Sequence, residues 1–155
     1  MPKQRLLIGV IGAGRASEQG LQLAEEVGRE LALAGAVLVC GGLGGIMEAA
    51  CRGAARAGGE TIGLLPGANR DAANPWVGIA LPTDLGHARN VLICQAARAL
   101  IAIEGEYGTL SEMAVALKLG RPVIALNSWN DLPGVRTADS AADAVRQALD
   151  LAGVE

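Results

Sequence analysis

Thr109 and Glu112 are the pair in this chain best placed to do chemistry. They follow a glycine turn, and the turn follows a buried strand. Ala99 to Ile103 is an uninterrupted apolar run, Glu104 to Gly108 contains two glycines, and Leu110 to Leu119 has helical apolar periodicity. A strand, a glycine turn and a helix start together form an anion site. The first helical N–H groups lack intrahelical partners, and the helix dipole places partial positive charge there. The same spacing also fits a T-x-x-E capping box, in which Thr109 opens the helix and Glu112 folds back on it. Spacing alone leaves chemistry and capping both open.

Two further glycine loops stand at the ends of apolar runs. Gly12-Ala-Gly14 closes the run Leu6–Ile11, and Gly41-Gly-Leu-Gly-Gly45 closes Ala36–Cys40. The first is no dinucleotide fingerprint. Ser17 takes the place of its last Gly or Ala, and Cys40-Gly41 stands where the ribose-binding acid belongs, which disfavours NAD. No Gly-Lys-Ser/Thr occurs, so a P-loop is excluded. The only lysines, Lys3 and Lys118, fall in the N-terminal tail and late in a helix, which argues against pyridoxal phosphate chemistry. A single histidine, His87, rules out a His-rich metal site and reads as a local hydrogen-bonding residue. Cys40, Cys51 and Cys94 have no CxxC spacing and read as reduced core thiols.

Strands and helices alternate along the chain. Helices are expected over Ser17–Leu33, with Ser17 as N-cap and Gly35 as stop, over Ile46–Ala57, over Leu85–Arg98 capped by Thr83 or Asp84, and over Ala138–Leu151. Further strands are expected at Thr61–Leu65, Val77–Leu81 and Pro122–Leu126. Alternation of this kind predicts an α/β fold of three layers, Rossmann-like, with a mostly parallel sheet covered by helices on both faces. Residues 1–155 are expected to form one domain. The three glycine loops then gather at the carboxyl edge of the sheet, where such folds bind ligands. Arg15 and Arg70 lie in loops at that edge and could contact a phosphate.

A hydrophobic content of 51% supports a substantial core, and a net charge of −3 gives no basic footprint for nucleic acid. No apolar run reaches membrane-span length, and no signal-peptide pattern precedes the first strand, so cytoplasmic residence without a membrane partner is expected. Trp76, Trp129 and Tyr107 are the only aromatic residues, and all fall in expected loops. They suit stacking on a planar ligand or packing at a subunit contact, rather than ordinary core filling. The helices Leu85–Arg98 and Leu110–Leu119 are apolar around most of their circumference, which suggests burial against another subunit.

Four segments, in order, carry a resemblance: Gly41-Gly-Leu-Gly-Gly-Ile-Met47, Ile62-Gly-Leu-Leu-Pro66, Ala88-Arg-Asn90 and Tyr107-Gly-Thr-Leu-Ser-Glu112. Together they resemble the Rossmann-like, lysine-decarboxylase-like family that includes the cytokinin-activating nucleoside 5′-monophosphate phosphoribohydrolases. His87-Ala-Arg-Asn90 and Leu117-Lys-Leu-Gly-Arg-Pro122 are more similar to the branch containing the molybdenum cofactor carrier proteins. The phosphoribohydrolase motif P-G-G-x-G-T-x-x-E falls on Gly105, Gly108, Thr109 and Glu112, with Glu104 and Glu106 replacing its Pro and second Gly.

The resemblance implies phosphate binding by Gly105, Gly108 and Thr109; Tyr107 in the same turn, and Gly12, Gly14, Gly41, Gly42, Gly44 and Gly45 in the loops at strand carboxyl ends, are binding candidates by position. It implies catalytic roles for Glu112, on an oxocarbenium-like ribose and its attacking water, and for Arg89, on the departing base. A surface ion pair of Arg89 with Asp84 is the structural alternative. Two carboxylates in the loop would repel a phosphate unless they point outward, and a Glu at a glycine position invites strain at positive φ.

Three functions follow from these observations. The first is a protein that binds a nucleotide or phosphorylated cofactor, with a nucleoside monophosphate or the molybdenum cofactor as ligand. The second is a phosphoribohydrolase using Glu112 and Arg89. The third is an oligomeric scaffold without catalysis. The resemblance also implies a homodimer or homotetramer, and the residue inventory offers no set of metal ligands.

Overall fold

A computed structural model describes residues 1–153. Seven strands form one sheet in the order β4-β3-β2-β1-β5-β6-β7, and every adjacent pair is parallel. The strands are β1 (Leu7–Gly12), β2 (Val37–Cys40), β3 (Thr61–Leu65), β4 (Ile79–Pro82), β5 (Ala99–Ile103), β6 (Val123–Leu126) and β7 (Arg136–Thr137). The helices are α1 (Glu18–Leu33), α2 (Ile46–Arg56), α3 (Arg89–Ala96), α4 (Tyr107–Lys118) and α5 (Ala141–Leu151). The expected Rossmann-like α/β fold is the observed one. All five residues of β5 are buried, as a strand covered on both faces requires.

Side chains alternate along each strand between two apolar layers. Ile8, Val10, Leu38, Ile101, Ile103 and Ile124 meet α1, α2 and α5 on one face. Val39, Leu64, Leu100, Ala102 and Val123 meet α3 and α4 on the other. The first face is packed closely through two glycines. A Cβ on Gly28 of α1 would stand 1.9 Å from the Ala50 carbonyl oxygen of α2, and one on Gly53 of α2 would stand 1.9 Å from that of Glu25 in α1. Arg52 and Arg56 of α2 clamp Glu25 of α1 at 3.2 and 3.1 Å. All three cysteines are free and buried, and the Cys40 and Cys51 sulfurs lie 3.5 Å apart.

Ser17 is the N-cap of α1, where its hydroxyl oxygen accepts the Gly20 N–H at 3.0 Å, and Gly35 ends the segment at φ +79°. Several boundaries differ from expectation. The helix expected from Leu85 is delayed because Asp84 and Gly86 both have positive φ, 55° and 59°. A single 3-10 turn, Gly86–Ala88, precedes α3, and α3 ends at Ala96 because Ala97 is extended and the Arg98 N–H already donates to Leu7. Ser140 caps α5 by accepting the Asp143 N–H at 3.0 Å, so that helix begins three residues late. Arg70–Ala72 form a 3-10 turn and Arg136–Thr137 a short edge strand, both within segments expected as loops. Trp76 and Trp129 are partly buried against the two apolar layers, so these two aromatics do serve as core edge.

Candidate functional site

The sheet order changes direction between β1 and β5. From β1 the chain builds outward through β2, β3 and β4, then returns to place β5 on the other side of β1. Gly12 pairs in register with Ile103, so the two strands end level and their following loops part around a crevice. A cleft of about 380 Å³ lies there, lined by Gly12, Ala13, Gly14, Arg15 and Met47 on one side and His87, Glu106, Gly108, Thr109 and Glu112 on the other. Gly45 stands behind the cleft-lining Ala13 and Gly14 rather than in the lining itself. It sits at φ +70°, where an added Cβ would meet the Ala13 and Gly14 carbonyl oxygens at 2.3 and 2.5 Å, and the Ile46 N–H donates to the Ala13 oxygen at 2.9 Å. The first and second glycine loops are therefore joined, and the first and third face each other across the cleft.

The capping-box reading fails. Helix α4 begins at Tyr107, two residues before Thr109, with Glu106 as an N-cap whose side chain makes no capping bond. The Leu110 N–H already donates to the Glu106 carbonyl oxygen at 3.0 Å. Thr109 and Glu112 thus lie inside the helix, one turn apart on its buried side. The N–H groups of Tyr107, Gly108 and Thr109 are the ones a helix start leaves free, and the last two belong to cleft residues.

Glu112 is only 9% exposed, yet its carboxylate accepts no hydrogen bond from the described residues, although its backbone oxygen accepts from the Cys94 thiol at 3.4 Å. Burial pushes the carboxyl up to about 7, against the opposing pull of the Arg89 charge. Arg89 is 8% exposed and its Nε has no hydrogen-bond partner among the described residues. Burial lowers its guanidinium below the ordinary value, while Glu112 and Cys40 act to raise it. The guanidinium lies against the Gly41 backbone, where a Cβ would stand 2.7 Å from Nη1, and it donates to the Asn90 side chain. The alternative, a surface pair of Arg89 with Asp84 or another acid, does not form, because Arg89 opens α3 facing inward, and no carboxylate of the described residues lies within 4.0 Å of it.

The two carboxylates that replace the motif's Pro and Gly separate. Glu104, at φ +54°, carries the strained backbone, whereas Glu106 sits at φ −114° without strain. The Glu104 carboxylate turns away from the cleft onto the start of α1. There it accepts the Ser17 N–H at 3.0 Å and the Ser17 hydroxyl. Glu106 stays at the cleft rim.

Of the sequence-selected glycine and motif residues, the cleft gathers Gly12, Gly14, Gly108, Thr109 and Glu112. Gly41 and Gly42 are buried behind it, Gly42 at φ +77°, and Gly44 is exposed. Gly45 lines a separate hollow with Arg15, Glu48 and Arg52. Gly105 lines another with Glu104, Asn127 and Trp129. Tyr107 is 80% exposed and stacks on Trp129 at 6.3 Å, outside the cleft. Arg70 is exposed and absent from the lining, whereas Arg15 is part of it. His87 is an exposed lining residue whose imidazole makes no hydrogen bond among the described residues, while its backbone oxygen accepts from the Arg89 N–H. Ala13 and Met47 were not singled out from sequence, although their positions beside Gly14 and just after Gly45 carried the signal. Among the described residues no group of three His, Cys, Asp or Glu side chains could hold a metal ion.

Comparison with known proteins agrees with this fold. A family model described as LDcluster4, SLOG cluster4 family, matches residues 5–151. An uncharacterized protein of Archaeoglobus fulgidus is 43% identical over 142 residues, covering 92% of this chain and 93% of that protein. The solved structure of the molybdenum cofactor binding protein from Rippkaea orientalis superposes with a TM-score of 0.91 at 35% identity, over 97% of this chain and 99% of that one. The molybdenum cofactor carrier protein of Chlamydomonas reinhardtii superposes with a TM-score of 0.88 at 34% identity, over 96% and 98% of the two chains.

Proposed function

Because this chain belongs to the SLOG cluster4 family, we propose that it binds a small phosphorylated cofactor or nucleotide in the β1–β5 cleft. The molybdenum cofactor is the first ligand to test, since two similar structures are described as binding or carrying it. One observation carries this reading. Glu112, a residue only 9% exposed whose carboxylate accepts no hydrogen bond among the described residues, lines the cleft with Gly108 and Thr109 of the α4 start. A cleft of about 380 Å³ falls in the range of small-molecule sites, ~300–1,000 Å³. The phosphate would sit on the amides of Gly108 and Thr109 with the Thr109 hydroxyl, and Arg15 would screen its charge. The Gly12–Gly14 loop would admit the rest of the ligand, with no side chain in the way.

A second reading is phosphoribohydrolase activity with the same ligand class. A carboxyl pushed up to about 7 suits proton transfer near neutral pH, and Arg89 lies close enough to influence it. In this reading Glu112 acts on the ribose and its water, and Arg89 on the leaving base. Pyridoxal phosphate chemistry has no lysine among the cleft residues.

The test is to incubate the purified protein with AMP, other nucleoside monophosphates and molybdenum cofactor, following thermal shift and free base together. A shift without base release supports binding alone. Base release abolished by Glu112→Gln supports the hydrolase. Silence toward every ligand refutes both and leaves a scaffold. As part of the same proposal, residues 1–155 act as one cytoplasmic domain in a homodimer or homotetramer. The exposed Ile79, Leu81, Leu85, Val91 and Leu92 supply apolar surface for subunit contact, which light scattering would check. No helix of the described residues is long and apolar enough to cross a membrane.

A further inference from the structure

In dinucleotide-binding α/β folds the ligand's diphosphate rests on the N-terminus of the first helix, after β1. In this chain that position is filled from within. The Glu104 carboxylate accepts the Ser17 N–H at 3.0 Å and the Ser17 hydroxyl, while the same hydroxyl oxygen accepts the Gly20 N–H at 3.0 Å. Gly20 makes room for it, since a Cβ there would stand 2.5 Å from the Glu104 carboxyl carbon. The Glu104 backbone is fixed independently. Its N–H donates to the Asn127 oxygen at 3.1 Å, its own oxygen accepts from the Ser128 hydroxyl, and φ is +54°. At the start of α4 no side chain plays that part, and Glu112, a residue 9% exposed, lines the cleft beside it.

We infer that Glu104 closes the α1 anion position, two residues past the cleft-lining Gly14 and Arg15, so that a ligand whose phosphate rests on α4 cannot extend a diphosphate onto α1. This rests on the proposed phosphate-binding cleft, and it adds the residue that keeps a diphosphate off the α1 start. Two anions cannot share the Ser17 amide, and the built-in carboxylate pays no association entropy. Ser17, the departure from the dinucleotide fingerprint, is the residue that holds the plug.

The probes are inorganic phosphate and pyrophosphate, titrated by calorimetry and thermal shift into the wild type, Glu104→Gly and Glu104→Asn. Gly accepts the positive φ without strain, and Asn tolerates it with a short neutral side chain, so one variant stands in if the other folds poorly. Both variants are expected to gain about tenfold in affinity for pyrophosphate, the scale of one helix-terminus anion interaction. The wild type is expected to bind pyrophosphate no more tightly than phosphate. Variants that gain nothing overturn the assignment, and so does a wild type with a tenfold preference for pyrophosphate. A silent wild type with responsive variants would remove the cleft reading and keep the role of Glu104. A responsive wild type with unresponsive variants would do the reverse.

Discussion

Replacing Glu112 by Gln should make the protein more stable at alkaline pH, by an amount that depends on pH in a defined way. The Glu112 carboxyl is pushed from an ordinary 4.5 to about 7 because it is buried away from water, with Arg89 only partly compensating. Between those values the folded protein holds a proton that the unfolded chain has released, so unfolding becomes easier as pH rises. Below 4.5 both states are protonated and the penalty vanishes, while above about 7 both are ionised and it is complete. From 4.5 to about 7, at 1.36 kcal/mol per pH unit, the full cost is about 3 kcal/mol. For a chain of this size that corresponds to roughly 6–12 °C in Tm. Gln keeps the shape and cannot ionise. Urea denaturation of wild type and Glu112→Gln at intervals from pH 4 to pH 9 isolates the effect, because any constant difference in packing or hydrogen bonding cancels. The difference in stability should rise in favour of Gln through that interval and then level off. A difference that stays flat, or that moves toward the wild type as pH rises, would refute the burial of an unpartnered carboxyl at the cleft.

Three further outcomes follow from the same geometry. Arg89→Met removes the charge that holds Glu112 down, so a carbon-13 NMR titration of the Glu112 carboxyl should place its midpoint above the wild-type value; an unchanged midpoint would mean that Arg89 does not reach it. Sulfate, which stays a dianion throughout, should bind the wild-type cleft more weakly as pH rises through about 7, and Glu112→Gln should abolish that dependence in a calorimetric titration. Gly28→Ala should force α1 and α2 apart, since its Cβ would meet the Ala50 carbonyl oxygen at 1.9 Å; a loss of about 1–3 kcal/mol in urea denaturation is expected from overpacking.

The elements that sequence periodicity located best were those with one dominant cause. β5 is an uninterrupted apolar run between Arg98 and Glu104, β3 stops at Pro66, and the observed limits of both match the expected ones. The helix expected from Leu85 forms but starts only at Arg89, because backbone conformation at Asp84 and Gly86, φ +55° and +59°, overrides apolar periodicity there. The start of α4 failed for an instructive reason. T-x-x-E is a good capping pattern, but Tyr107 and Gly108 join the helix first, and Thr109 is then buried on its inner side. The convergence of Gly12–Gly14 with Gly108 and Thr109 was legible, because an α/β alternation places such loops on one edge. The destination of Glu104 was not. It depends on a contact between residues 87 positions apart, made through a positive φ that an acidic side chain rarely adopts.

Amide chemical shifts of the isotope-labelled protein, followed by NMR as AMP is added, test the central claim most directly. The account requires saturable movement at Gly12, Gly14, Gly108 and Thr109, the backbone on both sides of the β1–β5 cleft, and little change in the hollow formed by Asn127, Trp129 and Asp131. Saturable shifts confined to that hollow or to the α1–α5 surface, with the cleft amides still, would contradict it.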